Sequence, residues 1–446
     1  MDSILNYIED IFPNASKINK ENYEKKMKIL YDLKNRIPNS IEECINIYEI
    51  ERLGISKLDT NALSYYISGS NNEITKKRNK NFFNKILLNQ KILRNVSITD
   101  LSTEILGNKI NLPICFSPSA LQKMAHEDGE LATARSAFRN NTIMILSSLS
   151  SYCMEEVARE NKAGIRWFQL YALKNRNETA NIIKEAEKYG FSAIVLTVDA
   201  PVMGYRDRDF QVKFTKPENI QYEIIKKIFI TSALSTSNKD KDIENTSNIN
   251  ENLNINNSNK FLTQISNTKS DIFELLKENI DSSITWEFID WIRKITKLPI
   301  IIKGILNEED AINAAKLKVN GIIISNHGGR QLDTSPSTIE ALGSISSILE
   351  EFYLKNPLEK KMEIYIDGGF SRGSDILKAL ALGANAVFLG RPVIWGLAAD
   401  GERGIDKTID ILKNELTIAM KLTGANKINE INKSCLYDYR NKKPKF

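Results

Sequence analysis

The residues with the clearest chemical potential lie in 325–333, SNHGGRQLD, directly after the apolar run 321–324. Here His327 stands three residues before Arg330, in a chain with only one other histidine. A histidine can accept a proton near neutral pH. An arginine can bind a carboxylate through two parallel hydrogen bonds. The segment therefore predicts a site that holds a small carboxylate and removes a proton beside it; the alternative is a glycine-rich turn with a solvated histidine.

The elements that position this segment are repeated βα units. From Leu112 onward, short runs rich in Ile, Val and Leu alternate with helical stretches, as a buried parallel sheet requires. The runs are 112–119, 142–148, 164–171, 192–199, 298–305, 321–328, 363–369 and 386–391. Eight such units close a (β/α)8 TIM barrel. An open doubly wound sheet also alternates in this way, but the polar residues gather at one end of the runs, which favours the barrel.

In a closed parallel barrel, function lies at the carboxyl ends of the strands. The residues at those ends are Ser119, Ser147, Gln169, Tyr171, Thr197, Asp199, Lys303, His327, Arg330, Asp367, Gly390 and Arg391. Two of the ends, 367–375 and 389–392, combine glycines with the start of a helix, as phosphate-binding loops do. Each could be an ordinary βα turn, but together they predict a phosphate site.

The fold expected is thus an α/β barrel with additions. Residues 1–60 predict an N-terminal helical extension, 61–437 the barrel, and 438–446 a basic tail. After the fourth strand, 216–280 predicts a long insertion; nine of the 23 residues in 238–260 are Asn, a composition typical of disorder. The flanking aromatic residues Phe210, Phe214 and Phe229 could instead fold over the site as a lid.

Composition excludes several classes of protein. The 446 residues are 42% hydrophobic, enough for a large packed core, and the net charge of +5 gives no nucleic-acid signal. Two histidines and four cysteines without CxxC spacing build neither a bis-histidine haem module nor a zinc site, so we expect no metal. We also expect no membrane span, no secretory signal and no peroxisomal tripeptide, hence a cytoplasmic protein.

Six motifs in order resemble those of the FMN-dependent L-2-hydroxy acid oxidases and dehydrogenases, which include glycolate oxidase, lactate oxidase and the flavin domain of flavocytochrome b2. They are QKMAHEDGE (122–130), WFQLYALKNR (167–176), LTVDAPVMGYR (196–206), LPIIIKGI (298–305), SNHGGRQLD and DGGFSRGSDILKALALGANAVFLGRP (367–392). The resemblance runs from about Tyr48 to Tyr437, interrupted by the Asn-rich segment. It implies FMN as cofactor, a 2-hydroxy carboxylate substrate, oxygen or a separate electron acceptor, and a homotetramer.

The resemblance also implies roles for single residues. His327 is similar to the family's general base, and Asp199 to the carboxylate that orients and stabilises its imidazolium. The substrate-binding set is Tyr65, Tyr171, Arg206 and Arg330, in which Tyr171 also contacts the reacting hydroxyl. The alternatives are that Tyr65 only packs a helix, that Asp199 caps a helix, and that Arg206 is a surface charge. His126 is expected to organise its own loop.

The implied FMN contacts form a second set. Lys303 resembles the cation beside flavin N1, and a cation at the end of a barrel strand is hard to explain otherwise. The other contacts are Pro118, Ser119, Ala120, Ser147, Gln169, Thr197, Asp367, Gly368, Gly369, Arg372, Gly390 and Arg391.

Two positions depart from the family pattern. The family usually has an arginine where this chain has Ser371, and Arg372 is the candidate to bind the phosphate in its place. Glycolate oxidases have a tryptophan in the substrate pocket where this chain has Leu149, with Met203 expected nearby. The larger volume favours L-lactate or a longer 2-hydroxy acid over glycolate. Two other functions stay open: a flavin-barrel isomerase of the type 2 isopentenyl diphosphate isomerase kind, and an inactive FMN-binding scaffold.

Overall fold

The computed structural model describes residues 36–228 and 279–437. Its first elements are helices α1 (Ile47–Lys57), α2 (Thr60–Ile67) and α3 (Ile74–Asn81), followed by an antiparallel pair of strands, β1 (Thr103–Ile105) and β2 (Asn108–Ile110). Side-chain caps fix where the first two helices begin, because Asn46 accepts from the amide of Glu49 and Asp59 accepts from the amide of Ala62. Helices α2 and α3 lie beyond the predicted boundary at residue 60, so the N-terminal helical region extends to Asn81.

Eight parallel strands then form a closed barrel. They are β3 (Ile114–Phe116), β4 (Met144–Leu146), β5 (Arg166–Leu170), β6 (Ile194–Thr197), β7 (Ile300–Ile305), β8 (Gly321–Ile324), β9 (Glu363–Asp367) and β10 (Ala386–Leu389). Neighbours in the barrel follow chain order, and β10 pairs with both β9 and β3. The predicted TIM barrel is confirmed, and the open-sheet alternative is excluded.

Helices surround the barrel, and short 3-10 helices lie in the connections. The helices are α4 (Gly129–Arg139), α5 (Met154–Asn161), α6 (Arg176–Lys188), α7 (Asp207–Val212), α8 (Phe288–Ile295), α9 (Glu308–Lys316), α10 (Thr338–Lys355), α11 (Gly373–Ala381) and α12 (Arg391–Thr423). The 3-10 helices are Phe82–Lys85, Gln122–Met124, His327–Gly329, Ile428–Glu430 and Lys433–Cys435. Helix α12 has non-helical geometry at Asp400 and Gly401, where it bends.

The barrel interior is filled by apolar side chains below a polar mouth. Trp167, Tyr365 and Phe388 are buried and in mutual contact, with ring centroids 5.4 to 5.6 Å apart. They share one cluster with other inward residues, among them Ile145, Val195, Ile301 and Ile323. Because side chains on a strand alternate between its two faces, the residue two positions later also points inward. This spacing sends Ser147, Gln169, Thr197, Lys303, Ser325 and Asp367 into the mouth of the barrel.

The long connection after β6 is described only in part. Its first section, 213–228, packs on the core, and Tyr222, Ile224 and Ile225 are each about 1% exposed. The Asn-rich segment 238–260 and Phe229 lie outside the described residues, as do 1–35 and the tail 438–446. No helix in the described ranges is long and apolar enough to cross a membrane. The homotetramer and the cytoplasmic location remain predictions.

Candidate active site

A cavity of about 280 Å³ lies at the carboxyl ends of the barrel strands, beneath α2 and α3. Every site residue predicted from the sequence lines this cavity, with two exceptions. Asp199 is in contact with His327, which does line it. Arg372 does not line the cavity and is paired with Glu415 instead. The second histidine, His126, is also outside the cavity and accepts a hydrogen bond from the amide of Asp128 at 3.2 Å, as expected of a residue that organises its own loop.

The loop after β8 presents His327 in a left-handed backbone conformation, with φ of 56°, and Gly328 follows with φ of 65°. Such φ values are uncommon for a residue with a side chain. The side chain of Asn326 accepts from the amide of Gly329 at 3.1 Å, which closes the turn. The amide of His327 donates to the hydroxyl of Ser325 at 3.1 Å. The loop is therefore fixed by its own hydrogen bonds.

The carboxylate of Asp199 holds the imidazole, with 2.9 Å between Oδ1 of Asp199 and Nδ1 of His327. Burial lowers the pKa of His327 below its ordinary value, and the negative charge of Asp199 opposes that shift only in part. Burial would raise the pKa of Asp199, but the charges of His327 and Lys303 outweigh it and hold that pKa below its ordinary value. The pair is therefore a neutral imidazole beside an ionised carboxylate at neutral pH.

Two arginines line the same part of the cavity. Arg330 donates from Nη1 to the carbonyl oxygens of Tyr65 at 2.5 Å and Ser68 at 3.0 Å, and its guanidinium lies 4.9 Å from the ring centroid of Tyr65. Arg206 is 7% exposed; its Nε donates to the carbonyl of Arg330 at 3.4 Å, and its Nη1 is 3.9 Å from Asp209. Burial and the charge of Arg330 lower the pKa of Arg206 to about 10. A buried cation, Arg206, beside the partly buried cation Arg330, with so little acidic compensation, favours a bound anion.

Aromatic and apolar side chains complete this end of the cavity. Tyr65 stacks on Phe214, with ring centroids 5.0 Å apart, so the segment after α7 contacts a residue of the cavity lining. Phe210 is exposed and stacks on Tyr205 instead, and a lid over the site remains a prediction. Burial raises the pKa of Tyr171, and the nearby charge of Asp199 adds to the effect, so its phenol stays protonated. Leu149 is 5% exposed and Met203 is partly buried in the lining.

A buried ion pair lies in the centre of the barrel mouth. Lys303 Nζ is 3.2 Å from Oδ2 of Asp367 and donates to the hydroxyl of Ser325 at 2.8 Å. Burial would lower the pKa of Lys303, but the charges of Asp367 and Asp199 raise it above its ordinary value. Ser117 also donates to Oδ2 of Asp367, at 3.2 Å. A fixed positive charge therefore faces the cavity floor.

Several buried polar atoms in the lining have no hydrogen-bond partner within the described residues. They are Nε2 of Gln169, Oγ1 of Thr197 and Oδ1 of Asp367. Buried polar atoms are nearly always paired, so a polar ligand is expected to pair them. A Cβ built on Gly390 would meet only Ser117, at 4.0 Å, so the backbone there faces open space. The Gln169 amide, the Thr197 hydroxyl and the Lys303 ammonium lie in the same lining as the open backbone at Gly390. This set of groups fits the ring heteroatoms and the ribityl and phosphate groups of FMN.

The structure does not bring Arg372 to the cavity. Its guanidinium forms an ion pair with Glu415 and lies 5.5 Å from the ring centroid of Tyr48. Arg372 therefore does not occupy the position of the arginine absent at Ser371, because it is paired with Glu415 on α12.

Residues of α3 line the cavity although sequence reasoning did not select them. Lys76, Lys77, Asn79 and Lys80 are part of the lining. Their signal in the sequence is the basic run KKRNK at 76–80. That run is far from every motif of the barrel, and only the fold brings it to the loop after β9.

Comparison with known proteins identifies the family. The sequence model described as FMN-dependent dehydrogenase matches residues 55–438. The 2-hydroxyacid oxidase 1 of Homo sapiens is 41% identical over 391 residues, which are 88% of this chain and 95% of that protein. The glycolate oxidase of Spinacia oleracea is 38% identical over 392 residues, which are 88% of this chain and 95% of that protein.

Solved structures agree with this assignment. The flavin-binding domain of baker's yeast flavocytochrome b2 has a TM-score of 0.73 and 33% identity, with 91% of this chain and 89% of that chain covered. A mandelate oxidase has a TM-score of 0.71 and 30% identity, with 88% of this chain and 98% of that chain covered. The chain therefore belongs to the FMN-dependent dehydrogenase family and is an oxidoreductase with FMN as its cofactor.

Proposed function

We propose that this protein oxidises an L-2-hydroxy acid to the corresponding 2-oxo acid. One observation carries the proposal: an imidazole held by a carboxylate at 2.9 Å faces the same cavity as two arginines, Arg206 and Arg330. A base and an anion site in one cavity suit a substrate that carries a carboxylate next to the carbon that is oxidised. The relatives named 2-hydroxyacid oxidase and glycolate oxidase support the same substrate class.

The substrate carboxylate binds between Arg206 and Arg330, and the phenols of Tyr65 and Tyr171 donate hydrogen bonds to the carboxylate and the hydroxyl. Both arginines are held by the protein before substrate binds, so the α-carbon is positioned at little entropic cost. Arg330 still has donors on Nε and Nη2, since the bonds to Tyr65 and Ser68 use Nη1 alone.

The proton moves to His327. Its Nδ1 hydrogen is directed at Asp199, which leaves the lone pair of Nε2 free to accept a proton from the substrate. Asp199 then stabilises the imidazolium, since their opposite charges lie together in a buried site. When bound, FMN would supply the acceptor for the two substrate electrons and for the second hydrogen that the substrate loses. Oxygen or a separate electron acceptor would complete the reaction.

Lys303 would contribute a fixed positive charge to bound FMN. It is buried in the cavity lining and remains charged because Asp367 and Asp199 compensate it. A buried cation stabilises negative charge that develops nearby far more than it would in water. Gln169 and Thr197, whose polar atoms lack protein partners in the described ranges, donate to the same ligand.

The pocket favours a substrate larger than glycolate. Leu149 and Met203 form its apolar wall, and neither has the volume of an indole ring. An apolar group on the substrate's α-carbon, as in L-lactate or a longer 2-hydroxy acid, gains contact with this wall. Each added methylene buried there contributes about 0.8 kcal/mol.

Mixing the FMN-loaded protein with a panel of 2-hydroxy acids in the absence of oxygen tests the proposal. We expect L-lactate and longer L-2-hydroxy acids to abolish the oxidised-flavin absorbance faster than glycolate does, and D-isomers to have no effect. Admission of air to the reduced enzyme then measures oxygen as acceptor. Flavin that no 2-hydroxy acid reduces would support an inactive scaffold. Magnesium-dependent isomerisation of a diphosphate without net flavin reduction would support the isomerase alternative.

A further inference from the structure

One end of the cavity is built where α3 packs on the loop after β9. Gly369 in that loop has φ of 93°, and a Cβ there would lie 2.2 Å from the carbonyl oxygen of Asn79 on α3. Asn79 also donates to Asn326, at 2.8 Å, which ties α3 to the loop after β8. The helix is therefore in direct backbone contact with the loop that the sequence predicts to bind phosphate.

The polar groups at the start of α11 are already used within the protein. The amides of Ser371 and Arg372 both donate to Oδ2 of Asp375, at 3.1 and 3.0 Å. The amide of Gly373 donates to Glu415 at 2.8 Å, and the same carboxylate pairs with the Arg372 guanidinium. These three amides and the Arg372 guanidinium are therefore already paired within the protein.

Arg391, at the start of α12, is largely committed as well. Its Nε, Nη1 and Nη2 donate to the carbonyl oxygens of Tyr66, Gly328 and Ser68, each at 2.9 Å. The guanidinium thus ties α2 to the loop that carries His327. It keeps only the second hydrogen of each Nη for a ligand.

Lys77 and Lys80 are the cations of α3 placed to meet an anion at this end. They are three residues apart, so they share one side of the helix, and both line the cavity. Lys80 Nζ donates to both carboxylate oxygens of Glu51, at 3.0 and 3.2 Å, which leaves one ammonium donor for a phosphate. The same Nζ is 5.9 Å from the centroid of Tyr48, the ring that also contacts Arg372. This shared ring places Lys80 beside the loop after β9.

The three lysines that α3 contributes to the lining differ in their partners. The ammonium of Lys77 has no hydrogen bond or ion pair in the described part of the chain. Lys76 is instead bound to Glu73 at 3.1 Å, and its backbone and Cβ pack against Gly329, on the side of His327. Among the lysines of α3, Lys77 therefore has an ammonium without a partner in the described ranges, and Lys80 lies beside the loop after β9.

We propose that Lys77 and Lys80 bind the phosphate of FMN, and so supply from α3 the charge that neither Ser371 nor Arg372 provides. A lysine suits this task because its long stem lets a point charge reach a phosphate from a neighbouring helix. The inference rests on FMN as the cofactor and not on the proposed catalytic roles. Its test measures flavin binding, so its failure would leave the proposal on the substrate untouched.

The test compares FMN with riboflavin, which lacks the phosphate. Dissociation constants are measured by flavin fluorescence on the full chain for wild type, Lys77→Ala, Lys80→Ala and the double variant. Lys85→Ala is the matched control, because Lys85 is an exposed lysine close by in sequence that does not line the cavity. Release of FMN from the holoenzyme in rising salt gives a second readout.

We expect each single substitution to weaken FMN binding about tenfold, the factor that corresponds to about 1.4 kcal/mol, and the double variant to weaken it further. Riboflavin binding stays unchanged, and Ser371→Arg restores FMN affinity in the double variant. A double variant that binds FMN like wild type would overturn the proposal. Equal loss of FMN and riboflavin would do so too, since it would mean that α3 has only a structural role.

Discussion

Nδ1 of His327 lies 2.9 Å from Oδ1 of Asp199, although the two residues follow different barrel strands, β8 and β6. The intervening strand β7 permits this contact through Gly304, where a Cβ would be only 2.6 Å from the Asp199 side chain. The positive φ of 117° at this glycine accompanies a shift in the β7 and β8 register. The pair is therefore built by the backbone of the barrel as well as by its own hydrogen bond.

Substitution of Asp199 by Asn should separate orientation from charge. The amide keeps the size of the side chain but removes the charge that stabilises a protonated imidazole. We expect the rate of flavin reduction to fall by about 10²-fold or more, while the dissociation constant for substrate changes little. Anaerobic stopped-flow measurements give both quantities. A variant within a factor of two of wild type would remove Asp199 from the mechanism.

The pH profile should follow the titration of His327. The base must be neutral, and burial lowers its pKa below the ordinary value of about 6.5. Activity is therefore fully present above that value and is lost as pH falls through the lowered pKa. In Asp199→Asn the midpoint moves to still lower pH, because the carboxylate that raises the histidine pKa is gone. An acid limb of kcat/KM with its midpoint above 6.5 would contradict this interpretation.

The two arginines should respond differently to removal. Arg206 is a buried cation with weak acidic compensation, so Arg206→Met should raise KM by about 10²-fold and leave Tm unchanged or higher. Arg330→Met should raise KM and also lower Tm, because the buried carbonyls of Tyr65 and Ser68 lose their donor. Steady-state kinetics and thermal unfolding of the holoenzyme measure both effects. Equal loss of stability in the two variants would refute the distinction.

Leu149→Trp should shift selectivity toward glycolate. The indole fills the apolar wall, so kcat/KM for L-2-hydroxy acids longer than lactate should fall by about tenfold or more, and kcat/KM for glycolate should change little. Leu149→Met is the control, since it nearly conserves volume and should keep the wild-type order of substrates. If both variants retain the same order, another residue sets substrate size.

The barrel and most of its mouth could be predicted from the sequence. Near-continuous apolar runs indicate buried parallel strands, and the alternation of side chains places Gln169, Thr197 and Lys303 two residues beyond inward apolar residues. His327 and Asp199 follow strands that are two apart in chain order. The closed barrel brings both residues to the same end, but their contact across β7 also needs Gly304, which the strand order does not predict.

Contacts between distant segments could not be predicted in the same way. Nothing in the sequence around Arg372 indicates that Glu415, some forty residues later, would capture its guanidinium. The basic run on α3 reaches the cavity only because Gly369 allows close approach of Asn79. The partner of a long, flexible charged side chain depends on which groups the folded structure brings within its reach.

Anaerobic flavin reduction by His327→Gln tests the central claim most directly. The substitution retains a polar side chain of similar reach but no group that accepts a proton at neutral pH. We predict a variant that binds FMN and substrate with wild-type affinity and reduces its flavin more slowly by about 10²-fold to 10⁴-fold. Reduction at the wild-type rate would show that His327 is not the base and would contradict this account.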